Sequence, residues 1–138
     1  IETNVDDLNP ELWDSVLEAL FEAGALDAWL APIQMKKNRP AQMLGVLCSP
    51  DHSEKIVAQI LHHTTSLGVR VQTVRRGALP RETREVSTRF GAVRIKTAQW
   101  NELARSIPEY DDVKRLAKEH NVAAREVYEA ATLAAQEN

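Results

Sequence analysis

The sequence predicts an α+β domain of the ferredoxin-like kind. Two observations carry this: residues 1 to about 78 alternate in period as β-α-β-β-α-β, and both helical stretches are apolar on one side only. A third observation extends it. Two more alternating runs and a helical tail follow, so the whole chain reads as that unit, then a β-hairpin, then a C-terminal helical hairpin.

Each element has its own warrant. "IETNV" reads as a short strand, and Asn9 before Pro10 marks a helix start, a cap residue followed by proline at the first helical position. Trp13, Val16, Leu17, Leu20 and Phe21 then recur at helical spacing, which places Trp13 and Phe21 in the core, and Gly24 stands where the helix should stop. "ALDAWLAPIQM" and "MLGVLC" read as strands around the basic turn "KKNRPAQ". Ser49-Pro50 opens a second helix with Ile56, Val57, Ile60, Leu61 and Thr64 on its stripe, and Gly68 leads into "VRVQTV", an alternating fourth strand. "ETREVSTRF" and "AVRIKTA" form the hairpin around Gly91, and "YDDVKRLAKEH" and "AAREVYEAATLAAQ" form two helices broken at Asn121. The expected organisation is therefore 1–80 as the ferredoxin-like unit, 81–100 as a hairpin extension and 101–138 as a helical tail. Because Ile1 falls directly inside an extended segment, the chain is expected to be a fragment of a longer protein that lacks its N-terminal domain.

Composition narrows the classes. With 138 residues, 43% hydrophobic and 27% charged, the chain is that of an ordinary globular protein. No apolar run approaches the roughly 18 residues that span a bilayer, so no membrane partner is expected, and no signal peptide directs the chain out of the cytoplasm. One cysteine, Cys48, excludes an internal disulfide framework. The net charge of −3 conceals a basic middle, in which Arg70, Arg75, Arg76, Arg81, Arg84, Arg89, Arg94 and Lys96 face only Glu82 and Glu85. Such a stretch suits a polyanion or an acidic partner, and equally the solvated faces of two strands.

The topology carries the functional expectation. In a ferredoxin-like unit the β1–α1, β2–β3 and α2–β4 connections emerge at one end of the sheet. Here they are "NVDDLNP", "KKNRPAQ" and "HHTTSLGVR", so carboxylates, a Lys/Lys/Arg cluster and a hydroxyl-and-glycine turn should meet. Glu2, Asp6 and Asp7 offer hard oxygen ligands to Mg²⁺ or Mn²⁺. Lys36, Lys37, Arg39 and Arg70 offer charge to phosphate oxygens, and Thr65 a hydroxyl donor. A metal–nucleoside triphosphate fits that combination, although the chain has no phosphate loop of the G-x-x-x-x-G-K-[ST] type, and Asp6 and Asp7 by themselves equally suit a cap and a solvated turn. No catalytic nucleophile arrangement is evident. Cys48 and His52 read as a core thiol and a surface imidazole, and His62 and His63 as ordinary cations at a helix end. Ala117, Asn121 and Val127 have helix-turn-helix spacing, but Glu126 and Glu129 beside Arg125 argue for helix packing and against a nucleic-acid partner.

"ETNVDDLNPE", "LFEAGALDAWLAPIQMKKNRP", "TTSLGVRV", "LPRE" and "PEYDDVKRLAKEHNVAAREVYEAA" together resemble the C-terminal domain of the LarC family, over nearly the whole chain and in order. Ala41 departs from the glycine expected after Pro40, and the stretch between Ala98 and Ile107 matches poorly. The resemblance implies a CTP-dependent cyclometallase. Such a protein inserts nickel into a pyridinium bis-thiocarboxylate mononucleotide to make the nickel-pincer cofactor of lactate racemase. It implies CTP bound with Mn²⁺ or Mg²⁺ by this domain, assembly into trimers or hexamers, and dependence on an N-terminal domain. The alternative reading is a regulatory or oligomerisation module that binds a small anion without turnover.

Overall fold

The computed structural model describes residues 1–101 and 103–136, so position 102 and the last two residues of the expected tail lie outside the described residues. The chain forms two compact units, Ile1–Val74 and Arg75–Asn138.

In the first unit β1 (Glu2–Val5), α1 (Trp13–Glu22), β2 (Ala25–Met35), β3 (Arg39–Cys48) and α2 (Ser53–His63) follow in the expected order. The sheet order is β1-β3-β2, antiparallel throughout. The Asn9 side chain accepts from the Glu11 amide at 3.2 Å and Pro10 opens a 3-10 turn into α1, so the cap is in place. Gly24, at φ +103°, ends α1 as expected, and a Cβ there would collide with the His52 ring at 2.3 Å. Alternation in the strands and the helical stripes meet in one core of Val5, Trp13, Val16, Leu20, Leu44, Val46, Ile56 and Ile60. Two stripe members fall outside it. Phe21 is 50% exposed and Leu61 43%, because each lies at the edge of its helix's apolar face, where the sheet no longer covers it.

The fourth strand is the main departure. "VRVQTV" contributes one antiparallel bridge, Arg70 opposite Glu2, with both main-chain bonds at 2.8 Å. The alternation is real, but a strand needs an edge to pair with. Antiparallel register from that bridge sets Val71 opposite Ile1, but no ladder extends from it among the described residues. Val71 and Val74 stay more than half exposed. The bridge still occupies the fourth-strand position beside β1, which preserves the ferredoxin-like order.

The second unit is a meander, β4 (Arg81–Thr88), β5 (Gly91–Trp100) and β6 (Leu103–Pro108), ordered β4-β5-β6, with α3 (Tyr110–His120) and α4 (Ala124–Gln136). The expected hairpin thus gains a third strand, β6, whose "LARSIP" shows no clean alternation. Asn121, left-handed at φ 52°, breaks the two helices, and Ala117 and Val127 are buried in the shared core with Val86, Val93, Ile95, Val113 and Leu116. The helix-turn-helix spacing therefore serves packing.

Where Pro108 ends β6, a side chain continues the ladder. The Glu109 amide donates to the Arg94 carbonyl at 2.8 Å, and the Arg94 amide donates to Asp112 Oδ2 at 3.0 Å. The Arg94 guanidinium adds 2.8 and 3.1 Å bonds to the same carboxylate. The Arg94 side-chain hydrogen bond is what chiefly holds the Asp112 carboxyl below its usual range; burial opposes it, while the Arg94 amide and the charges of Arg94 and Arg115 reinforce it. A carboxyl depressed in the fold stabilises above its unfolded value of about 3.9 and loses that contribution as pH falls through the lower folded value. Asp112→Ala is expected to cost about 1–3 kcal/mol, chiefly the stranded Arg94 amide. Urea unfolding from pH 2 to 7 checks the linkage: the wild-type advantage over Asp112→Asn should shrink below about pH 4 and be constant above it.

Candidate functional site

The candidate site is the rim at the C-terminal end of β1. β1 places Glu2, Asn4 and then Asp6 on the face away from the helices, because side chains alternate and Thr3 and Val5 are buried inward. The β2–β3 turn closes at the Met35–Arg39 pair and lifts Lys36, Lys37 and Asn38 above the sheet. Arg39 Nη1 then lies 3.1 Å from Asp6 Oδ2, joining the first and second connections. From the third connection Thr65 Oγ1 donates to Asp7 Oδ1 in a short bond. Arg70 Nη2 donates to Asn4 Oδ1 at 2.8 Å and stands 3.5 Å from Glu2 Oε2. All three connections meet at this end, as the topology predicts.

Inside the rim a hydroxyl stitch holds the third connection. Thr64 Oγ1 donates to the Ile60 carbonyl at 2.7 Å and accepts from the Ser66 amide at 3.1 Å, closing α2. The buried Thr3 hydroxyl donates to the Gly68 carbonyl at 2.9 Å and shares a hydrogen bond with Ser66. Sequence reasoning missed Thr3 and Asn4. Their signal was the alternation itself, which sends one inward as a polar side chain that needs partners and the other outward beside Arg70.

Lys37 and Asn38 adopt left-handed backbone, φ 61° and 56°. Asn tolerates that region; lysine carries a strain of roughly 1 kcal/mol there. Strained positions held by their surroundings gather at functional sites. Lys36 and Lys37 are exposed and make no ion pair among the described residues, whereas Arg39 and Arg70 each already hold an acid.

The carboxylates do not act as a set of three. Four residues of nearly extended chain, on the order of 13 Å, separate Glu2 from Asp6, so one ion does not reach both. Among the described residues no three His, Cys, Asp or Glu side chains are grouped to hold a metal. Asp6 and Asp7 remain adjacent at the rim. Mg²⁺ and Mn²⁺ suit such a place, since they take one or two carboxylates and fill their other positions with water and phosphate oxygens.

Two members of the basic middle stretch have acidic partners in the second unit. Arg94 holds Asp112 and Lys96 pairs with Glu109. These two follow the reading as strand-face charges.

Residues 1–128 match the sequence profile of the nickel insertion protein family. A putative nickel insertion protein of Syntrophobacter fumaroxidans is 50% identical over 137 residues, 98% of this chain and 35% of that protein. A pyridinium-3,5-bisthiocarboxylic acid mononucleotide nickel insertion protein of Acetivibrio thermocellus is 44% identical over 130 residues, 94% of this chain and 32% of that protein. The chain thus spans about a third of the length of these relatives. Among solved structures, the apo C-terminal domain of a cyclometallase involved in the synthesis of the NPN cofactor of lactate racemase superposes with TM-score 0.91 at 38% identity. The match covers 98% of this chain and 94% of that one.

Proposed function

Because this chain belongs to the nickel insertion protein family and corresponds to its C-terminal domain, we propose that it is the nucleotide-holding part of a CTP-dependent cyclometallase of the lyase class. The full protein would insert nickel into pyridinium-3,5-bisthiocarboxylic acid mononucleotide, with the N-terminal domain completing the activity, in a cytoplasmic homo-oligomer, trimer or hexamer. Residues 1–80 would hold the nucleotide and its ion, with 81–100 and 101–138 as extension and tail.

The observation that carries this reading is the meeting of Asp6 with Arg39 and of Asp7 with Thr65 beside two lysines that make no ion pair among the described residues. Asp6 and Asp7 would hold Mn²⁺ or Mg²⁺. Lys36 and Lys37 would take phosphate oxygens as point charges, Arg39 would exchange part of its hold on Asp6 for phosphate, and Thr65 would donate. Glu2 would act one step back, holding Arg70 in place toward the rim. A bound divalent ion supplies charge that lets a triphosphate approach two carboxylates. The chain's own share is to fix that charge balance before the nucleotide arrives.

Calorimetric titration with CTP, and with ATP, GTP and UTP as comparisons, in the presence and absence of Mn²⁺ tests the proposal. CTP binding should be the tightest and should weaken at least about tenfold without the ion. Binding that ignores the ion would favour a simple anion-binding module. The same titration on Lys37→Gly separates function from fold: relief of the left-handed strain should keep or raise the melting temperature while CTP affinity falls.

A further inference from the structure

His62 and His63 end α2, immediately before Thr64 and the Thr65 that holds Asp7. Their rings lie 4.7 Å apart between centroids with planes at 85°. His63 Nε2 and Gln59 Oε1 are 3.1 Å apart. An amide oxygen only accepts, so in this arrangement the neutral His63 ring donates from Nε2 and leaves the Nδ1 lone pair for a metal. Gln59 thereby fixes the tautomer and ring orientation, as outer-sphere partners of metal-binding histidines do. The pair also sits at the negative end of the helix dipole, which favours a cation.

We propose that His62 and His63 form a two-imidazole landing site for the nickel cargo beside the nucleotide rim; this rests on the reading of nickel as the inserted substrate. The ring separation suits it. An imidazole nitrogen about 2.0–2.1 Å from a first-row divalent ion puts the ring centre roughly 3.2 Å away. Two rings on neighbouring square-planar or octahedral positions then have centres roughly 4.5 Å apart, close to the spacing seen here. His63 binds through Nδ1 and the exposed His62 through whichever nitrogen faces it. Water fills the remaining positions until the thiocarboxylate sulfurs of the pyridinium substrate displace it. Two protein ligands make a weak site, which is what an ion in transit requires: a closed set of four would retain the metal. No bond to carbon is made here; the step is ligand exchange at unchanged oxidation state, imidazoles leaving as sulfurs arrive.

The test uses the whole 138-residue chain without nucleotide, so its failure leaves the CTP titration standing, and failure of that titration leaves this one standing. In proton–nitrogen spectra of the imidazoles, substoichiometric Ni²⁺ should broaden His62 and His63 before His52, which contacts the Gly24 carbonyl, and His120, which packs on Phe90. His62→Ala should weaken Ni²⁺ binding about tenfold or more with circular dichroism unchanged, and Gln59→Ala should weaken it by a smaller factor. Excess Mg²⁺, an oxygen-seeking ion, should not displace the nickel. Equal broadening of all four rings, displacement by Mg²⁺, or an unchanged affinity in His62→Ala would overturn the proposal.

Discussion

Asp7→Asn is expected to abolish the Mn²⁺ dependence of CTP binding while leaving the fold intact. The amide keeps an oxygen where Asp7 Oδ1 accepts from Thr65, so the third connection stays attached. What disappears is one negative charge from a pair that stands at the rim. A hard ion held by two carboxylates and phosphate loses much of its grip when one carboxylate becomes an amide. A loss of at least about tenfold in CTP affinity with Mn²⁺, roughly 1.4 kcal/mol or more and equal to the whole benefit of the ion, is expected, against little change without it. Asp6→Asn is the less clean variant, since it also weakens the anchor of Arg39. Should Asp7→Asn bind CTP with the wild-type response to Mn²⁺, the ion is held elsewhere and the assignment of these aspartates is wrong.

Leu44→Ala is expected to be the most damaging single change to the first unit. Leu44 has no exposed surface and sits at the middle of the central strand, opposite Thr3 on β1 and Leu30 on β2. Truncation loses the transfer free energy of the removed atoms and leaves a cavity against Val16, Leu20, Ile56 or Ile60, all essentially inaccessible. Leu→Ala at such positions costs about 2–5 kcal/mol. A domain of this size has only about 5–15 kcal/mol in hand, so the melting transition followed by the fluorescence of the buried Trp13 should fall by roughly 10 °C or more. A shift of only a few degrees would mean that α1 and α2 collapse into the space.

The rim was legible because it follows from topology. Once two helices and four strands were placed in order, the directions of the strands put Asp6, Lys36 and Thr65 at one end without any knowledge of side-chain geometry. The cap at Asn9, the stop at Gly24 and the break at Asn121 were legible because each is a local backbone requirement met by one residue type. What escaped depended on partners. "VRVQTV" has a strand's alternation, but alternation states only that a segment is able to pair, and β1 presents one residue to it. β6 escaped for the opposite reason: Leu103 and Ile107 are more than half exposed, so no buried face wrote a pattern into "LARSIP". Phe21 shows the limit of a stripe, which gives a direction and not the width of what covers it. Within the site, Glu2 was grouped with Asp6 and Asp7 by nearness in sequence, and the extended chain between them keeps it apart.

The hydroxyl stitch between Thr3, Ser66 and Gly68, with the Glu2–Arg70 bridge beyond it, has a thermodynamic consequence for whatever docks here. A loop that has to freeze around a guest gives up roughly 0.5–1.5 kcal/mol for each mobile side chain it immobilises. Thr64, Ser66, Gly68 and Arg70 have already surrendered much of that freedom when the chain folds, so the visitor meets a mould and not a closing hand. Association should then be quick and nearly single-exponential, and differences among nucleotides should appear in how long each one stays.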